Sequence, residues 1–82
     1  MKNMISIQQE YIDTVSAGID RWAHRKNGGH AGRIRVGAAR RARKKLLALG
    51  FNEEQANAMI KDAHDMMLLE RVAVDDPLNH AH

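Results

Sequence analysis

Five histidines, two adjacent pairs of acids and a run of cations between Arg33 and Lys45 are the residues of this 82-residue chain whose types could do chemistry. The acid pairs are Glu53-Glu54 and Asp75-Asp76. Both fall at the ends of a predicted helix, where capping and the helix dipole account for them better than proton transfer does. His80 and His82 form a His-x-His pair, which catches metal weakly wherever it occurs. His64 stands between Asp62 and Asp65 and becomes a ligand only if another histidine approaches. Ser6 and Ser16 have no neighbours from which a triad can be built. The chain holds no Walker loop, no G-x-G-x-x-G, no H-E-x-x-H and no G-x-S-x-G. It has no cysteine, so a disulfide framework and a thiolate zinc site are excluded. The expectation is a protein that is not an enzyme, with no catalytic residue, no cofactor and no metal.

The cations are more informative. Residues 1–20 sum to −2, residues 21–52 carry ten Lys or Arg and no acid, and residues 53–82 sum to −5. A basic centre therefore lies between two acidic ends. At about 100° per residue, Arg33, Arg40, Arg43 and Lys44 fall on one side of a helix, with Arg41 and Lys45 at its edges. Arg25 and Lys26, together with Arg21, close the preceding helix and can join that surface. Phosphate backbones reward such a cluster by counterion release. The glycine-rich stretch Asn27–Gly32 puts backbone N–H groups near a helix start, which also suits a phosphate. Three readings follow for this face: nucleic acid, an acidic protein surface, or a solvated flank that pairs with the acidic ends of its own bundle or of a second copy.

Helices must position these residues. Ala, Leu, Met, Glu, Gln, Lys and Arg dominate, and β-branched or aromatic runs are scarce. The expected architecture is all-α, a small three-helix bundle in one domain over residues 1–76, with a flexible tail at 77–82. Helix one is predicted over about Ser6 to Arg25. Ile5, Ile12 and Ile19 recur at seven, with Val15 and Trp22 three after the last two, which makes a heptad seam. Gln8 is its one polar occupant, and Met4 and Tyr11 widen it. The stripe is either the core face of a bundle helix or a homodimer seam, with Gln8 setting the register.

Asn27–Gly32 reads as a loop, with one glycine in the left-handed conformation that ends a helix. Helix two is predicted from about Ile34 to Leu49, burying Ile34, Ala38, Ala39, Ala42, Leu46 and Leu49 while Arg35 and Lys45 snorkel. Gly50 ends it. Helix three opens on a capping box of Asn52 with Gln55, with Phe51 placed to staple onto Ala56. It is expected to bury Ala56, Met59, Ile60, Ala63, Met66, Met67 and Leu69 or Leu68, and to fade between Val74 and Asp76 ahead of Pro77.

No run approaches the roughly 18 apolar residues of a membrane span, and no signal-peptide run follows the first residues, so the expected location is cytoplasmic, away from membranes. The short Gly-containing turn before helix three suits a helix-turn-helix, but the recognition helix would then be the acidic one, which disfavours that motif. Leu46-Leu47-Ala48-Leu49-Gly50-Phe51, followed by Gln55-Ala56 and later by Leu69-Glu70-Arg71-Val72-Ala73, resembles the UBA-type three-helix module over roughly residues 43–74. The resemblance implies a protein-binding surface bordered by Gly50 and Phe51; a relative of the module in the bacterial junction-migration protein binds a partner protein. It departs at His64-Asp65-Met66, where the family breaks between two helices. The leading expectation is an accessory protein holding nucleic acid or a ribonucleoprotein on a basic helix. The alternative is an inhibitor or adaptor of phage or mobile-element type, acting on a host machine such as RNA polymerase or a CRISPR complex.

Overall fold

The computed structural model describes residues 3–22 and 29–75, so the expectations for Arg25, Lys26, residues 27–28 and the tail 77–82 lie outside the described residues. It contains three helices, α1 (Met4–Trp22), α2 (Gly29–Ala48) and α3 (Glu53–Asp75), packed as an all-α three-helix bundle. No strand occurs among the described residues.

Each start has a local cause. Asn3 caps α1: the Ser6 N–H donates to Asn3 Oδ1 at 2.9 Å, and the Asn3 N–H donates to Ser6 Oγ at 3.0 Å. This reciprocal cap starts α1 two residues before the expected Ser6. α3 opens on the expected box, with the Gln55 N–H donating to Asn52 Oδ1 at 2.7 Å and the Asn52 N–H to Gln55 Oε1 at 3.0 Å. Between α2 and α3, Gly50 has φ of 105°. The Phe51 N–H donates to Leu46 O and the Gly50 N–H to Leu47 O, a Schellman closure that satisfies the last carbonyls of α2.

Three expectations are corrected. α2 begins at Gly29, so Gly29 to Gly32 is helix and not loop. A glycine costs a helix about 1 kcal/mol against alanine but does not forbid it. Here Trp22 stacks on His30, with centroids 4.6 Å apart and planes 27° apart, and this contact holds the first turn of α2. Among the described glycines Gly50 is left-handed and Gly32 is not; Gly28 lies outside the described residues. Second, Met66, Leu68 and Leu69 are exposed on α3, and Leu49 is exposed at the end of α2. α3 is continuous, so the face carrying Ala56, Ala63 and Met67 carries these outward. Third, the two helices that the UBA resemblance places around His64-Asp65-Met66 are one unbroken helix. Nothing at those positions removes a backbone donor, so the helix runs through.

α1 and α2 are antiparallel, since Gly18 meets Ile34 while Glu10 meets Lys45. α3 runs parallel to α1, with Gln8 against Met59 and Ser16 against Arg71. The core is Ile7, Tyr11, Ile12, Val15, Ala38, Ala42, Leu46, Ala56, Ala63 and Met67, flanked by Met4, Ile19, Ala39, Phe51, Met59 and Ile60. Ile12 and Val15 of the heptad stripe thus lie in the chain's own core, and Ile19 packs against it. Ile5 is 69% exposed and Ile7 is buried in its stead. A strict seven-residue repeat drifts about 20° per heptad on a straight helix, which carries Ile5 off the packed face. Gln8 Nε2 donates to Met59 O at 2.9 Å, so the stripe's polar residue is used between α1 and α3.

Candidate nucleic-acid interface

α2 turns its alanines and Leu46 inward, and this forces its cations outward. The helix packs closely because Ala38, Ala39 and Ala42 are small and because Gly18 of α1 has no side chain; a Cβ there would sit 3.0 Å from Ile34 Cγ2. Arg33, Arg40, Arg41 and Lys44 are exposed, while Arg43 and Lys45 are half-buried. Arg33 to Lys44 spans eleven residues, or about 16 Å of helix.

Neutralisation of this face is slight. Lys45 Nζ donates to Glu10 Oε1 at 2.7 Å. Among the described residues, no ion pair engages Arg33, Arg40, Arg41, Arg43 or Lys44. The other described pair, Arg71 with Asp20 at 2.7 Å, ties α3 to α1. Arg71 holds the Asp20 carboxyl below the usual carboxylate range through that hydrogen bond, and Arg71 also donates to Ser16 Oγ at 2.8 Å. At the end of α1, the Arg21 guanidinium lies 5.7 Å from the Trp22 ring centroid.

The face is not purely cationic. Val36 is 59% and Leu47 42% exposed. With Arg40 and Arg43 they form the spacing i, i+4, i+7, i+11. Sequence reasoning missed these two aliphatics, though that spacing is the signal that places them beside the arginines.

It also missed a polar cluster where the three helices meet. Tyr11 Oη lies 2.9 Å from His64 Nδ1. Burial pushes the Tyr11 phenol up, opposed by Arg35 of α2. Burial and then Arg35 push the His64 imidazole down, opposed by Asp65. Both groups are therefore neutral near pH 7, and the phenol can donate to Nδ1 in the Nε2-protonated tautomer. Tyr11 is almost fully buried and His64 half-buried, and the pair joins α1 to α3. No group of three or more His, Asp or Glu with metal-binding geometry occurs among the described residues. No helix among them is long and apolar enough to cross a membrane. No protein-family model, no curated protein and no solved structure matches this chain.

Proposed function

We propose that the chain is a small, non-enzymatic accessory protein that holds nucleic acid, or a ribonucleoprotein, on the outward face of α2. One observation carries the reading. Arg33, Arg40, Arg41, Arg43 and Lys44 gather on or beside one flank, and none is ion-paired among the described residues. Cations left without carboxylates keep their counterions, and it is the release of those counterions that a polyanion rewards. No base-reading arrangement accompanies them, so the contacts are to phosphates and sequence matters little.

Mobility shift with duplex and single-stranded probes across a salt series tests this. Affinity falls steeply with salt, and Arg40→Ala, Arg41→Ala or Lys44→Ala each flattens the slope by about one. Absence of a shift at near-physiological salt overturns it. Val36 and Leu47 favour a second reading, an adaptor or inhibitor on an acidic protein surface, because aliphatics beside arginines suit a protein interface better than a phosphate backbone. That reading expects a protein retained by the wild type and lost with both Arg40→Ala and Val36→Ser.

A further inference from the structure

α3 presents to solvent a stripe that matches the α2 stripe position by position. On α2 the exposed or half-buried residues are Val36, Arg40, Arg43 and Leu47; on α3 the exposed residues are Ala58, Asp62, Asp65 and Leu69. Each set has the spacing i, i+4, i+7, i+11, which confines it to a sector of about 60° on its helix. Each reads apolar, charged, charged, apolar, with opposite signs in the middle. Leu69 is 69% exposed. Neither Asp62 nor Asp65 makes an ion pair or hydrogen bond among the described residues, and neither do Arg40 and Arg43. Both stripes face away from the core of their own chain, so they cannot meet within one molecule.

We infer that the α2 stripe of one copy docks on the α3 stripe of a second copy. Laid parallel, Val36 meets Ala58, Arg40 meets Asp62, Arg43 meets Asp65 and Leu47 meets Leu69. Laid antiparallel, Val36 meets Leu69, Arg40 meets Asp65, Arg43 meets Asp62 and Leu47 meets Ala58, so opposite charges face each other in that register too. The contact is heterologous: the first copy keeps its α3 stripe free and the second its α2 stripe, so the assembly extends or closes into a ring. Two stripes about 16 Å long bury far less than the roughly 800 Å² per partner of a stable interface. The association is therefore weak, concentration-dependent and salt-sensitive. It does not depend on the nucleic-acid reading, but it uses two of the same arginines, so a polyanion on α2 takes the assembly apart.

Sedimentation equilibrium on nucleic-acid-free protein tests it. At low salt and high concentration the apparent mass reaches twice the monomer's or more, and it returns to the monomer's near 0.5 M salt, where the Debye length is only a few ångström. The double variant Arg40→Asp, Arg43→Asp is monomeric, and so is Asp62→Arg, Asp65→Arg. Their equimolar mixture associates again, because each supplies the charge the other lost. A wild type that stays monomeric at low salt overturns the inference, as does a mixture that stays monomeric while both variants keep their helical circular dichroism. Should a charge variant unfold, cysteines decide, since the chain has none of its own. Val36→Cys cross-links to Ala58→Cys and Leu47→Cys to Leu69→Cys if the stripes dock parallel, and Val36→Cys to Leu69→Cys and Leu47→Cys to Ala58→Cys if they dock antiparallel; failure of all four pairs overturns the contact. Failure of the nucleic-acid shift leaves all these readouts unchanged.

Discussion

The Tyr11–His64 pair makes its own pH dependence. His64 is surrounded by Tyr11 from α1, Arg35 from α2 and Asp65 on its own helix. Burial and Arg35 hold its folded-state pKa below the ordinary 6.5, so between the folded value and about 6.5 the unfolded chain binds more protons. Stability is thus full above about pH 6.5 and declines as the pH falls through the folded value. Protonation also makes Nδ1 a donor, which ends its role as acceptor for the phenol. An NMR titration of His64 is expected to show a pKa below the unfolded reference, moving up toward it in Arg35→Ala; an unmoved midpoint would contradict the part given to Arg35. None of this was legible in the sequence. Tyr11 reads there as the edge of a stripe and His64 as a histidine between two acids. Their pairing joins residues 53 apart, which no local pattern reports.

Helix ends, by contrast, were legible where the chemistry is local. Asn52 with Gln55 and the stop at Gly50 depend on neighbours within four or five residues, and the structure has both. The start of α2 was not legible, because glycine propensity argues for a loop and only the Trp22–His30 stack, formed across a chain reversal, argues for helix. The outward turn of Leu68 and Leu69 was not legible because hydrophobicity alone cannot say which side of a continuous helix meets a neighbour. Two substitutions test the α2–α3 junction. Asn52→Ala removes one acceptor at an exposed helix start and costs about 1 kcal/mol. Gly50→Ala forces a side chain into φ of 105° with nothing in space to clash, so its cost, of order 1 kcal/mol or more, is backbone strain alone. Urea midpoints should fall for both, with unchanged m-values. A Gly50→Ala protein as stable as the wild type would contradict the left-handed turn.

For the molecule as a whole, the basic centre was legible because charges add along the chain, and the alanines that turn it outward were visible in the same stretch. What the sequence could not say is how few carboxylates come to meet it: Glu10 reaches Lys45, and the α3 acids face elsewhere. The two described ion pairs across helices are partly solvated, and water and salt screen both. Holding the bundle together falls to a thin core in which Leu46 is wholly buried among residues of all three helices. Leu46→Ala should therefore cost about 2–5 kcal/mol, a large share of the roughly 5–15 kcal/mol available to a domain. Glu10→Gln should cost under about 1 kcal/mol and lose even that in high salt. Urea unfolding followed by helical circular dichroism and by Trp22 fluorescence measures both, and the two probes should give one midpoint per variant. A Glu10→Gln loss equal to that of Leu46→Ala would mean that ion pairing, and not the apolar core, holds α2 in place, and the cations of its outer face would then have to be weighed as structural.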